Sequence, residues 1–227
     1  MTTPKKILIC GYSHCGTSIL KSIIGHIEEV EEIINECAHI NECHYKSTNK
    51  KYIICKSTHA TSKFFDIESN IKIFIIRNPL FVFSSLNKRY GHYKLSEYHS
   101  IQNYIDIVKM FIKYKNNPEK NIYTIKYEDL FPNNYEEMKK IFNNIGFQYD
   151  ESIFDNCKYT NAIINGVKLV DNKPDDINDE VYRTWQINQP FISNNDISKI
   201  DLTDDQKKIL INNSYVLQLY PDINSAF

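Results

Sequence analysis

Arginine is nearly absent. Of the 27 Lys and Arg residues in this chain of 227, only Arg77, Arg89 and Arg183 are arginine. A chain that carries its bulk positive charge on lysine keeps arginine for what lysine does poorly, the forked recognition of an oxyanion. Charge of one sign is missing too. The formal net charge is −1, so no global basic field speaks for DNA, RNA or an anionic membrane. No apolar run approaches the ~20 residues of a membrane span. The stretch from Ile7 to Cys10 is too short for a secretory signal core. The six cysteines form no CxxC pair, and Cys10 and Cys55 sit inside apolar runs as buried thiols. These absences predict a reduced, cytoplasmic protein with no nucleic-acid partner and no membrane partner. Cys37, His39, Cys43 and His44 match no common zinc spacing, so no metal site is expected.

What is present is a succession of short apolar runs and amphipathic stretches. Near-continuous apolar runs predict strands at residues 6–10, 51–55, 71–76 and 122–125. A further strand is suggested at 30–34, where Glu31 and Glu32 leave helix open. Helices are predicted at 16–26, at 79–88 behind Pro79, at 96–114, at 135–145 before Gly146, and at 203–219 behind a Thr-Asp-Asp cap. Strands alternating with helices predict a single α/β domain over residues 1–227, with a central parallel sheet flanked by helices in three layers. The stretch 158–201 is rich in Asn and Asp and has weak periodicity. It carries Arg183 and the only tryptophan, Trp185, which suits a lid or binding loop.

The first strand runs into Gly11-Tyr-Ser-His-Cys-Gly16-Thr17-Ser18, and a helix follows. A glycine-bounded turn between strand and helix lets successive backbone N–H groups surround a phosphate, and the helix dipole adds to the attraction. In an ATP- or GTP-hydrolysing enzyme the residue after the second glycine is Lys, and the next holds Mg²⁺. Here Thr17 stands in the lysine position. The loop therefore suits a single 5′-phosphate better than a polyphosphate. A second anion site is suggested where the strand at 71–76 ends in Arg77-Asn78-Pro79, with Ser85 eight residues after Arg77 and Arg89 one turn beyond. Arg at a strand end and Ser two turns into the next helix can face one anion from two sides.

These two motifs, in this order, resemble the sulfotransferase family, whose donor is 3′-phosphoadenosine-5′-phosphosulfate (PAPS) and whose product is 3′-phosphoadenosine-5′-phosphate (PAP). The segment Tyr127-Glu128-Asp129-Leu130 resembles a Tyr-Glu-Asp-Leu segment of the same family and is read as structural. The resemblance covers roughly residues 5–147 and implies a P-loop NTPase-like fold. It implies that Ser13, His14, Cys15, Gly16, Thr17 and Ser18 hold the 5′-phosphosulfate, and that Arg77 and Ser85 hold the 3′-phosphate. His14 stands where the family usually has Lys or Arg against the leaving oxygen. The family's C-terminal Arg-Lys-Gly signature is missing, and Arg183 and Trp185 are the candidates for its work on the 3′-phosphate and adenine.

The remaining chemistry is removal of the acceptor's proton and support of the moving group. Lys56, after the strand at 51–55, matches a family lysine that contacts the transferring sulfuryl group. His59 follows it as Lys-x-x-His rather than Lys-x-His, and Glu36 is the rival base. The run from Tyr90 to Tyr104, with His92, Tyr93, Tyr98 and His99, is suited to lining a pocket for a sugar or a phenol. The expected activity is sulfuryl transfer from PAPS to a hydroxyl of a carbohydrate or other small acceptor, without metal. A nucleotide-kinase-like phosphotransferase and a non-catalytic nucleotide-binding protein are the alternatives.

Overall fold

The computed structural model describes residues 3–36, 49–58, 69–92, 96–154, 163–164, 167–168, 172, 174, 185 and 196–226. Five strands form one parallel sheet: β1 (Lys5–Gly11), β2 (Val30–Glu36), β3 (Tyr52–Ser57), β4 (Ile71–Ile76) and β5 (Ile122–Lys126). Their order is β2-β3-β1-β4-β5, and every neighbouring pair is parallel. Successive side chains leave a strand on opposite faces. Leu8 and Cys10 of β1 join one core with Phe74 and Ile76 of β4, while Ile7 and Ile9 join another with Ile73 and Ile75. Both faces are thus apolar, which is why the strands read as unbroken hydrophobic runs rather than alternating ones.

Helices cover both faces. On one lie α1 (Thr17–Gly25) and α4 (Pro132–Ile145), which contribute Leu20, Ile23, Ile24, Met138, Ile141 and Phe142. On the other lie α2 (Pro79–Tyr90), α3 (Ile101–Asn116), α5 (Asp204–Asn212) and α6 (Ser214–Leu219). The result is the expected three-layer α/β sandwich. The open choice at 30–34 resolves as strand. A two-stranded antiparallel ribbon, β6 (Ile163–Ile164) and β7 (Val167–Lys168), lies within the stretch read as a loop.

Two helices differ from expectation. The stretch 203–219 is two helices, because Asn213 adopts extended dihedrals and its side chain caps α6 at Tyr215 and Val216. The stretch 96–114 opens with a separate 3-10 turn at Glu97–His99, and α3 restarts behind Ser100, whose hydroxyl accepts from the Asn103 N–H. In α4, Asn133, Asn134 and Tyr135 have positive φ, so regular helix begins after them.

The α5–α6 pair is anchored to α2 by polar contacts in an otherwise apolar layer. Asn87 and Gln206 exchange amide hydrogen bonds of 2.7 and 3.2 Å, and Asn87 also donates to the Asp201 carbonyl at 2.8 Å. Thr203 and Gln206 form a reciprocal cap on α5. Thr203→Ala removes one half of that cap and is expected to lower unfolding free energy by about 1 kcal/mol, read as an earlier midpoint in urea. An unchanged midpoint would show that the cap is idle.

Candidate functional site

In an open parallel sheet, ligands gather outside the carboxyl ends of the strands. Here β1 ends in the loop 11–16, β3 ends near Lys56, and β4 runs into Arg77. The loop is shaped by what its residues can tolerate. A Cβ on Gly11 would stand 2.2 Å from the Ile75 carbonyl oxygen, so β1 meets β4 too closely for any side chain. Gly16 has φ 94° and caps α1, and a Cβ there would lie 2.5 Å from the Tyr127 ring. Tyr12 and Cys15 turn into the core. Tyr12 packs edge-on to Tyr104 at 5.3 Å, its hydroxyl donates to the Ser100 carbonyl, and Cys15 is fully buried. Burial pushes the Cys15 thiol up to about 12, so it stands as an inert packing group. Thr17, in the lysine position, is also buried.

Several of the expected site residues come together at this edge. His14, at φ 64°, places Nδ1 2.6 Å from Ser85 Oγ. Arg77 Nη1 reaches the His14 carbonyl at 3.5 Å, and its guanidinium lies 4.2 Å from the Tyr127 ring centre. Phe81 stands on the guanidinium as well, at 5.6 Å. On the far side of the loop, the buried Lys56 donates to Ser18 Oγ at 2.9 Å, tying β3 to the first turn of α1. Ser13 Oγ lies 3.2 Å from His99 Nε2, and the His99 ring stacks on Tyr90 at 5.2 Å. Arg89 sits 5.4 Å from the same Tyr90 ring. Three cations, five hydroxyl or imidazole groups and a helix N-terminus thus gather at the loop, a donor set that fits a nucleotide bearing two phosphates.

Glu36 ends β2, with its backbone in register with Lys56 of β3. Trp185 is half-buried. His59, Arg183 and Tyr93 lie outside the described residues, as do Cys37, His39, Cys43 and His44. Among the described residues no group of three or more His, Cys, Asp or Glu side chains is placed to hold a metal ion. Nor is any described helix long and apolar enough to cross a membrane.

Three features were not read from the sequence. The contact of His99 with Ser13 joins the run at 90–104 to the phosphate loop, a pairing that no motif marks. Tyr127 covers both Gly16 and Arg77; its Tyr-Glu-Asp-Leu segment was visible, but as structure only. Glu128 supports the Arg77 turn, accepting from the Asn78 N–H at 2.8 Å. Burial raises the Glu128 acid above the usual carboxylate range, against the hydrogen bonds and the Arg77 and Lys126 charges that favour the ion.

The profile of the family described as "Sulfotransferase domain" matches residues 4–175. In three dimensions the chain resembles mouse sulfotransferase SULT7A1 complexed with PAP, at 15% identity and a TM-score of 0.60, over 100% of this chain and 90% of that one. It also resembles retinol dehydratase in a complex with retinol and PAP, at 13% identity and 0.53, over 98% and 82%. The sulfotransferase domain from the curacin biosynthetic pathway is similar at 12% and 0.52, over 93% and 98%. No curated protein matches the chain. At these identities the structural likenesses speak for the fold alone.

Proposed function

The chain belongs to the sulfotransferase domain family, and from that premise we propose that it transfers a sulfuryl group from PAPS to the hydroxyl of a small acceptor and releases PAP. The observation that carries this reading is the convergence of His14, Arg77 and Ser85 on one side of a phosphate loop whose lysine position is the buried Thr17. A P-loop enzyme that moves the terminal phosphate of ATP keeps a lysine there. A 3′-phosphate gives the Arg77–Ser85 pair something to hold that ATP and ADP lack.

The residues divide by chemistry. Backbone groups from Ser13 to Ser18 and the α1 N-terminus suit the 5′-phosphate. On this reading His14 donates to the oxygen that leaves with PAP, and Lys56 neutralises charge on the moving sulfuryl group. The acceptor oxygen forms its bond to sulfur as the sulfur–phosphate oxygen bond breaks, and its proton passes to a base, for which His59 and Glu36 are the candidates. Arg183 and Trp185 remain the proposed additional contacts to the 3′-phosphate and adenine. Retinol in the retinol dehydratase complex supports a small-molecule acceptor, with a sugar as the other choice, and the aromatic run at 90–104 suits either. The buried free thiols Cys10, Cys15 and Cys55 support a reducing, cytoplasmic setting.

The test is calorimetry with PAP, ADP and ATP-Mg²⁺ on the whole chain. PAP is expected to bind roughly tenfold to a hundredfold more tightly than ADP, the worth of a hydrogen-bonded charge. Equal affinity for PAP and ADP would remove the 3′-phosphate site and this reading with it.

A further inference from the structure

The backbone at Arg77 is held by side chains from distant parts of the chain. Consider the single peptide unit between Arg77 and Asn78. Its carbonyl, on Arg77, accepts from the Tyr104 hydroxyl at 2.6 Å. Its N–H, on Asn78, donates to Glu128 Oε1 at 2.8 Å. The Tyr220 hydroxyl backs the carboxylate, donating toward Glu128 Oε2 at 3.4 Å. Both polar atoms of one peptide are thus captured by side chains. Tyr104 is fully buried and Tyr220 nearly so. The guanidinium itself lies near the Tyr127 and Phe81 rings.

Burying these groups costs desolvation of a carboxylate and two phenol hydroxyls. Apolar side chains would avoid that cost but leave the Arg77 carbonyl and the Asn78 N–H unpartnered. What the polar set adds is direction. It leaves the Arg77 backbone one orientation, so an arriving anion spends little of its binding energy on ordering the arginine.

We propose that Glu128, Tyr104 and Tyr220 are positioning residues for Arg77, fixing its peptide so that the guanidinium is presented, already oriented, to the 3′-phosphate. This rests on the nucleotide reading above. It adds Tyr220 to the site, from a part of the chain that lies beyond the residues matched by the family profile.

The experiment measures PAP and ADP affinities by calorimetry, with thermal midpoints, for the wild type, Glu128→Leu, Glu128→Gln, Tyr104→Phe and Arg77→Ala. Glu128→Leu removes the acceptor and is expected to weaken PAP about tenfold and ADP less than about twofold, since only the 3′-phosphate uses Arg77. Glu128→Gln keeps an amide oxygen for the Asn78 N–H and is expected to retain the preference for PAP to within about threefold. Tyr104→Phe loses one hydroxyl without changing the packing, and a drop in the preference of about fivefold is expected. Should Glu128→Leu fail to fold, Tyr104→Phe and Glu128→Gln decide. A folded Glu128→Leu or Tyr104→Phe with the wild-type ratio of PAP to ADP affinity overturns the proposal, as does Gln losing as much as Leu. Arg77→Ala separates this failure from that of the nucleotide reading: if it too keeps the ratio, the 3′-phosphate site itself is misplaced.

Discussion

Gly11→Ala is expected to lower unfolding free energy by about 3 kcal/mol or more, the range of severe overpacking, and to abolish nucleotide binding. The reason is the identity of the atom it meets. A methyl group at this position would lie 2.2 Å from the Ile75 carbonyl oxygen and 3.1 Å from Ile75 Cγ2. A flexible side chain could swing aside, but this carbonyl is the backbone of β4, and Gly11 and Ile75 are register partners in the β1–β4 pair. Relief requires parting the two central strands at their carboxyl ends. That is where the loop leaves β1 and where Arg77 leaves β4, so the distance between the two anion-binding motifs would change with it. Urea denaturation gives the stability, and calorimetry with PAP gives the binding. If Gly11→Ala unfolds at the same urea concentration as the wild type, the approach of β1 to β4 does not exclude a side chain at this position.

Arg77→Ala is expected to weaken PAP by about 1.5–3 kcal/mol, as for loss of a hydrogen bond to a charged group, and to leave ADP nearly unchanged. Lysine is not a conservative replacement. The guanidinium is planar, and here it lies between the Tyr127 and Phe81 rings while Nη1 reaches across to the loop at His14. An ammonium keeps the charge but neither stacks flat nor offers a fork. Arg77→Lys should therefore recover only part of the lost affinity. If alanine at 77 costs PAP and ADP the same, then Arg77 holds the loop and not the 3′-phosphate.

How much of this could be read beforehand follows from distance along the chain. The strands were visible because burial on both faces removes polar residues from them, and β4 falls at the limits read from its apolar run. β2 was ambiguous for a physical reason. Among the described residues it is an edge strand of the sheet, so it tolerates the Glu31 and Glu32 that look helical. The division between α5 and α6 was missed because Asn213 sits in a continuous amphipathic pattern and acts through its cap, not through hydrophobicity. At the site, the loop 11–18 and the pair Arg77 and Ser85 are local motifs whose spacing carries the chemistry. The supports of Arg77 are not local. Tyr104 lies 27 residues from it, Glu128 lies 50 from Asn78, and Tyr220 lies 92 from Glu128. Nothing in a linear pattern distinguishes such tyrosines from ordinary core.

That separation has a consequence in time. Contacts between residues far apart in sequence form late, since each requires a long loop to close first. On a ribosome the loop, the sheet strands and Arg77 all emerge before α5, α6 and Tyr220. Until the segment with Tyr220 docks against α2 and α3, Glu128 lacks one of its partners beneath the peptide at Arg77 and Asn78. On the proposed reading, a nascent chain would gain its full discrimination for a doubly phosphorylated nucleotide only after that segment has emerged.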